Sequence, residues 1–370
     1  MSRFLIFYFV AYGGSHLYLL LKIKRAFPLS GSKLLLSASL LTALFLSPLI
    51  ARKLESSGFD RVPEIISLAG YTWMGLLFLF VTAAATIDLY NVALARTVYG
   101  VRPCTLLVIS VACTIIVGLY GYYEAANIRL ERVTIKSSKI LQSVGKVRIV
   151  QISDLHIGQI VREKRVKDVV DAIRHTAPDM IVSTGDLVDG HQKHFSGLEL
   201  LFQELKPRLG KYAILGNHEY YVGINETEKF IKDAGFRLLV NENFESGGGI
   251  CITGMDDSKN KAERLANVLA EKTLLDSVPK GEFKLLLKHR PVIEKSSEGE
   301  FDLQLSGHVH KGQIFPFNLL TWISFPVRAG LTEIQSGSHL YVSRGTGVWG
   351  PPIRFLAPPE VTVIDLYPDK

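Results

Sequence analysis

The chain has 370 residues, is 48% hydrophobic and 21% charged, and carries a formal net charge of +7. Its length exceeds a typical single domain and its apolar excess sits in the first third, so a membrane-embedded part is expected beside an ordinary globular one. Residues 1–128 hold ten Lys/Arg against five Asp/Glu, so much of the positive charge flanks apolar segments and does not point to nucleic acid. Three cysteines (Cys104, Cys113, Cys251) exclude a disulfide framework and a cysteine-based metal site.

Four apolar stretches, at about residues 4–21, 34–51, 65–90 and 106–123, are predicted to cross a membrane as helices. Arg3 before the first of them resembles a secretory signal, but no A-x-A-like cleavage site follows, so a retained helix is expected. Tyr71, Trp73, Tyr90, Tyr120, Tyr122 and Tyr123 lie near segment ends, where amphipathic rings suit the interface. His16 and Asp88 fall in or beside apolar runs with no partner visible, and interfacial or packing roles are expected for both. With four crossings, Arg3, Arg52, Lys53, Arg61, Arg129, Arg132, Lys136 and Lys139 share one side. Lys22, Lys24, Arg25, Lys33, Arg96 and Arg102 share the other, and the excess favours a cytoplasmic C-terminal part.

From about residue 129 the chain alternates strand-like runs with polar loops. Strands are predicted at 147–153, 180–184, 212–215, 250–253, 283–287, 303–306, 340–343 and 361–366, and helices at 163–175, 198–205, 226–234 and 261–271. This is an α/β layered domain with a β-rich second half. The division expected is a transmembrane helical domain over 1–128 and a catalytic domain over 129–370.

Residue types that bind metals gather at the C-terminal ends of the predicted strands, where open α/β sheets present ligands. The segments read SDLH, TGDLVDG, GNHEY, KHRP and SGHVHKG. In Asp154-Leu155-His156 and His308-Val309-His310 the polar residues are two apart, so an extended backbone would point each pair to one face and let it clasp one ion. A mixture of carboxylate, imidazole and amide oxygen suits Mn, Fe or Zn and argues against Ca. Gly158, Gly185, Gly216 and Gly307 are expected to give the tight turns that let these loops converge.

The ordered set D-x-H, G-D-x-x-D, G-N-H-[DE], an isolated H and G-H-x-H resembles the calcineurin-like metallophosphoesterases over roughly residues 147–366. The ending SRGTGVWGPPIRFLAPPEVTVIDL is similar to a membrane-associated bacterial subgroup of broad phosphodiesterases and UDP-2,3-diacylglucosamine hydrolases. The resemblance implies an α/β fold with a double β-sheet sandwich flanked by helices, here preceded by a bundle of about four transmembrane helices. It implies two divalent metal ions, Mn foremost with Fe or Zn as alternatives. Asp154, His156 and His310 would hold one and Asn217, His289 and His308 the other, with Asp186 bridging. His218 would act as general acid and Asp189 as its orienting partner. Arg290 and Lys311 depart from the subgroup's HNP and GHTHGGQ, which puts cations near the metal site. His191 and His194 are further rim candidates.

A phosphorylated, lipid-linked substrate such as UDP-2,3-diacylglucosamine is expected, because a multi-helix anchor is excessive for soluble substrates. Membrane lipid would be a partner, and the inner membrane the location. The alternatives are a broad phosphodiesterase, a phosphatase, or an inactive membrane sensor; the complete ligand set speaks against the last.

Overall fold

The computed structural model describes residues 8–57, 59, 61–94, 100–257, 261–327, 329–334 and 337–369, without the side chains of 261–265. The chain divides into two compact units, Met1–Glu124 with Gly350–Phe355, and Ala125–Trp349 with Leu356–Lys370.

In the first unit a π-helical turn, Tyr8–Tyr12, leads into α1 (Gly13–Ala26), α2 (Gly31–Ser56), α3 (Arg61–Ala93) and α4 (Pro103–Ala126). Among the described residues, α2, α3 and α4, of 26, 33 and 24 residues, are long and apolar enough to cross a membrane. At about 1.5 Å per residue each exceeds a hydrocarbon core of about 30 Å. The four stretches expected thus give three candidate spans. The first stretch contributes only the π turn and the 14-residue α1, whose last turn is charged by Lys24 and Arg25. Its start at Phe4, with Arg3, and the flanking Arg96 lie outside the described residues.

His16 and Asp88, for which the sequence shows no partner, are both partnered in this unit. Lys22 pairs with Asp88, which also accepts the Tyr18 hydroxyl at 2.6 Å, so α1 is pinned to α3 by a charge pair. The His16 ring donates from Nδ1 to the Tyr12 carbonyl at 2.8 Å and accepts the Trp73 indole N–H at Nε2, 2.9 Å away. These contacts close both ring nitrogens and satisfy polar groups that an apolar surround would penalise. The Arg354 N–H donates to the Gly121 carbonyl at 3.0 Å, tying Gly350–Phe355 to α4 within this unit.

The second unit is built on two six-stranded sheets. The first runs β1 (Arg129–Ser137), β12 (Glu360–Pro368), β2 (Val147–Ile152), β3 (Met180–Ser183), β4 (Lys211–Ala213) and β5 (Arg237–Leu238). The second runs β10 (Gly330–Glu333), β11 (His339–Val342), β9 (Leu303–Ser306), β8 (Phe283–Leu287), β7 (Ile250–Gly254) and β6 (Glu242–Gly247). β2 to β5 are mutually parallel, as are β7, β8, β9 and β11. Side-chain alternation on β3 shows the layering. Met180 and Val182 join Ile252, Leu285 and Leu305 of the second sheet in one core, while Ile181 joins a second core with Val166, Val169 and Ile173 of helix α5 (Glu163–Thr176). The helices that follow are α6 (Glu199–Gln203), α7 (Glu219–Val222), α8 (Ile224–Asp233), α9 (Lys261–Ser277) and α10 (Phe317–Ser324). A strand buried on both faces reads as a continuous apolar run, and Met-Ile-Val does.

Parallel strands send all their C-terminal ends to one edge. Asp154, Asp186, Asn217, His289 and His308 lie just past the ends of β2, β3, β4, β8 and β9. Both sheets therefore deliver candidate ligands to the same edge.

Candidate metal centre

Asp154, His156 and His310 each offer one donor atom, and these lie within 4.8 Å of one another; Asp186, His289 and His308 form a second such cluster, and His156, Asp189 and His218 a third. In the first cluster His156 Nε2 stands 3.0 Å from His310 Nε2, which is 3.4 Å from Asp154 Oδ1. In the second, His289 Nε2 is 3.2 Å from both Asp186 Oδ2 and His308 Nδ1. Asp186 Oδ2 also lies 3.9 Å from His156 Nε2, so it stands between the two.

The backbone that achieves this is not extended. Asp154, His156, Asp186, His308 and His310 have φ of 51°, 53°, 52°, 71° and 47°, in the left-handed region. Each such residue costs roughly 1–3 kcal/mol, and strain of this kind collects where side chains must be aimed. The same-face argument for the two spaced pairs therefore fails in its geometry. Asp154 and His156 still meet in one cluster through a tight turn, whereas His308 and His310 part into different clusters.

Close loop packing holds the turns. A Cβ on Gly307 would lie 1.9 Å from Ser153 Oγ and 2.1 Å from Asp154 Oδ2, and one on Gly216 would lie 2.3 Å from Asp186 Oδ1. Only glycine lets these backbones approach the carboxylates. The His308 N–H donates to both oxygens of Asp154, at 2.9 and 3.0 Å, and the His218 N–H donates to Asp186 Oδ1 at 2.8 Å. His289 Nδ1 donates to the Thr184 carbonyl at 2.8 Å, which fixes the tautomer and turns Nε2 toward the cluster.

One buried residue at the centre escaped the reading of the motifs: Glu219, the last residue of G-N-H-E. Its carboxylate accepts the N–H groups of Asp186 at 2.9 Å, Leu187 at 2.7 Å and Gly216 at 2.7 Å, and so binds the β3 and β4 loops together. Burial and the nearby Asp186 push its pKa up to about 7. Its place in the motif was the available signal.

Electrostatics shows a site that draws positive charge. Burial opposes a charge on His289, but Asp186 outweighs it and holds the imidazole up at about 10, while the same carboxylate is pulled well below its ordinary range. Burial and the neighbouring His289 push His308 down to about 3, and burial with His218 pushes His156 down to about 4. Neutral imidazoles with lone pairs turned on one another are metal-ready donors. Asn217 Oδ1 is buried without a hydrogen-bond partner, which costs about 1–3 kcal/mol unless a cation meets it. The residues present thus fit a pair of divalent cations.

His218 Nδ1 lies 3.1 Å from Asp189 Oδ1. Burial works against its charge, yet Asp189 and the field of Asp186 raise it to about 9. The ring is walled by Tyr221 at 5.3 Å and Trp349 at 5.7 Å. Gln313 clamps Trp349 by its backbone, donating to the carbonyl at 3.0 Å and accepting the N–H at 2.9 Å. Arg290 is tied to Asp257 at 3.1 Å, and its charge is among those that lower His308. His191 is exposed at the start of a 3₁₀ turn, Gln192–His194, and neither His191 nor His194 belongs to the three clusters.

Residues 147–312 match the calcineurin-like phosphoesterase family model. An "uncharacterized metallophosphoesterase" of Aquifex aeolicus is 38% identical over 254 residues, spanning 68% of this chain and 97% of the relative. A "transmembrane protein with metallophosphoesterase domain" of Danio rerio is 29% identical, spanning 70% of this chain and 62% of the relative. Among solved structures, a dimetal phosphatase from Danio rerio aligns over 60% of this chain and 93% of its own, at 12% identity and a TM-score of 0.40.

Proposed function

The chain belongs to the calcineurin-like phosphoesterases, and from that premise we propose that this metal-dependent phosphoric ester hydrolase cleaves a phosphodiester or pyrophosphate bond in a lipid-linked substrate. One observation carries the reading: two donor clusters adjoin at Asp186, with His218 and Asp189 beside them. Asp154, His156 and His310 would hold one cation and Asn217, His289 and His308 the other, with Asp186 shared. Bound there, a pair of divalent cations supplies a water of lowered pKa and neutralises charge on phosphoryl oxygens.

The chain's own residues then handle the proton and the leaving group. Asp189 and Asp186 overcome the burial of His218 and favour its imidazolium, the form that gives a proton to the departing oxygen. Asp189 takes up Nδ1 and leaves Nε2 for the substrate. Tyr221 and Trp349 hold the ring edge-on and narrow its freedom. Glu219 keeps the two loops in register so that Asp186 and His218 stay bonded.

The three apolar helices and the transmembrane relatives suggest membrane association. We place the catalytic unit on the cytoplasmic face of the inner membrane, the side that the basic flanks favour if the first apolar stretch also crosses. A broad phosphodiesterase would use the same residues and differ only in showing no preference for an amphiphile. Full-length protein in detergent, loaded with manganese, would be offered phosphomonoesters, phosphodiesters and UDP-2,3-diacylglucosamine, with Asp186→Ala as control. Cleavage of the diester or pyrophosphate substrates is expected; cleavage of monoesters alone contradicts the reading.

A further inference from the structure

Helix α10 (Phe317–Ser324) buries none of its residues. Leu319, Leu320, Trp322 and Ile323 are 52%, 57%, 56% and 80% exposed, and Phe315 and Phe317 are exposed beside them. Residues 312–327 contain no Asp, Glu, Lys or Arg, while Lys311 and Arg328 bracket the run in sequence. A contiguous apolar surface of this kind marks an interaction site. Leu, Phe and Trp in a run that basic residues bracket in sequence suit a lipid interface in particular, where aromatic rings lie at headgroup level and anionic headgroups attract basic residues.

The segment is held firmly to the metal centre. The Phe325 ring packs 5.4 Å from that of His308, and a Cβ on Gly312 would stand 2.5 Å from the Asn318 backbone. α10 therefore starts only a few residues beyond His310, and Phe325, just past its end, packs against His308. Three helices of the same chain are long and apolar enough to cross a bilayer, so a lipid surface is a partner this chain brings with it. We propose that α10 is an interfacial anchor that sinks its Leu320, Trp322 and Ile323 side chains into a bilayer containing anionic lipid and sets the rim of the metal centre at the lipid surface. The anchor is independent of which phosphoester is cut.

The test uses the full-length chain with Trp73→Phe and Trp349→Phe, which leaves Trp322 as its sole tryptophan. It is reconstituted into phosphatidylcholine/phosphatidylglycerol vesicles, with or without bromine on the acyl chains. Bromolipid should lower Trp322 emission about twofold, and adding Leu320→Glu and Ile323→Glu should abolish most of that quenching. Unquenched emission overturns the proposal, including emission that is blue-shifted but insensitive to bromine, which would mean that a second copy or another protein covers α10. Should the double Trp variant fail to reconstitute, a spin label on Ile323→Cys in a Cys104→Ser, Cys113→Ser background serves instead. Greater relaxation by oxygen than by a water-soluble nickel complex is expected, and the reverse order overturns the proposal.

Discussion

Glu219 accepts the Asp186 N–H at 2.9 Å while the same carboxylate accepts the Leu187 and Gly216 N–H groups at 2.7 Å. A fully buried side chain thus aligns the one carboxylate that both donor clusters touch. Glu219→Gln turns an amide NH₂ toward backbone donors and leaves at least one of them unsatisfied. It should destabilise the fold by about 1–3 kcal/mol and weaken metal binding by about 10–100-fold. Thermal unfolding and metal titration check this; wild-type values in both would show that Glu219 positions nothing.

In the proposed role His218 supplies the proton in its charged form, so the rate should be full below its pKa and fall as pH rises through it. Asp189 and Asp186 raise that pKa to about 9, and cations bound nearby can only lower it by repulsion. The alkaline limb of kcat is therefore expected at or below about pH 9. Asp189→Asn removes the carboxylate that raises the group and should move the limb to lower pH. A limb unmoved by Asp189→Asn would assign it to another group.

In the membrane unit, Asp88→Asn leaves the buried Lys22 ammonium without its counter-charge, though Tyr18 remains at hand. Because Asp88 is partly exposed, a loss of about 1–3 kcal/mol is expected, short of the full penalty for a buried pair. Replacing both partners, as Lys22→Met with Asp88→Leu, should recover much of it. Thermal aggregation of the detergent-solubilised chain reads both; equal losses in the single and double variants would exclude the pair as a tie between α1 and α3.

Gln313→Ala frees Trp349 from two backbone hydrogen bonds, worth about 1 kcal/mol each. Since Trp349 walls the His218 ring, kcat should fall more than KM rises, with metal content unchanged. A pure KM effect would place Trp349 in binding alone.

Much of this arrangement is legible in sequence because it follows from residue type and strand order. The runs at 283–287 and 303–306 are apolar, short and bounded by polar loops, and they coincide with β8 and β9. β1 is not legible: in RLERVTIKS only Ile135 is fully buried, so the strand reads as a polar connection and is revealed by its parallel pairing with β12. The left-handed turns at Asp154 and His308 are equally hidden, since non-glycine residues adopt them only where tertiary bonds, such as His308 N–H to Asp154, hold them. Likewise Trp73, which donates to His16, and Lys22, which pairs with Asp88, lie on other segments, 57 and 66 residues away, where no local pattern signals them. α10 carries an apolar run without helical alternation because no face of it is buried.

The proposed division of labour gives two cations to the seven donors and proton transfer to His218. The most direct test is the metal content of purified full-length protein after manganese loading and desalting, measured beside phosphodiester turnover. Wild type should retain about two equivalents per chain, Asp186→Ala fewer than about one, and His218→Ala about two, with turnover lost from Asp186→Ala and reduced about 10²–10⁴-fold in His218→Ala. Equal metal loss in the two variants, or undiminished turnover by wild type stripped of divalent cations, would contradict the account.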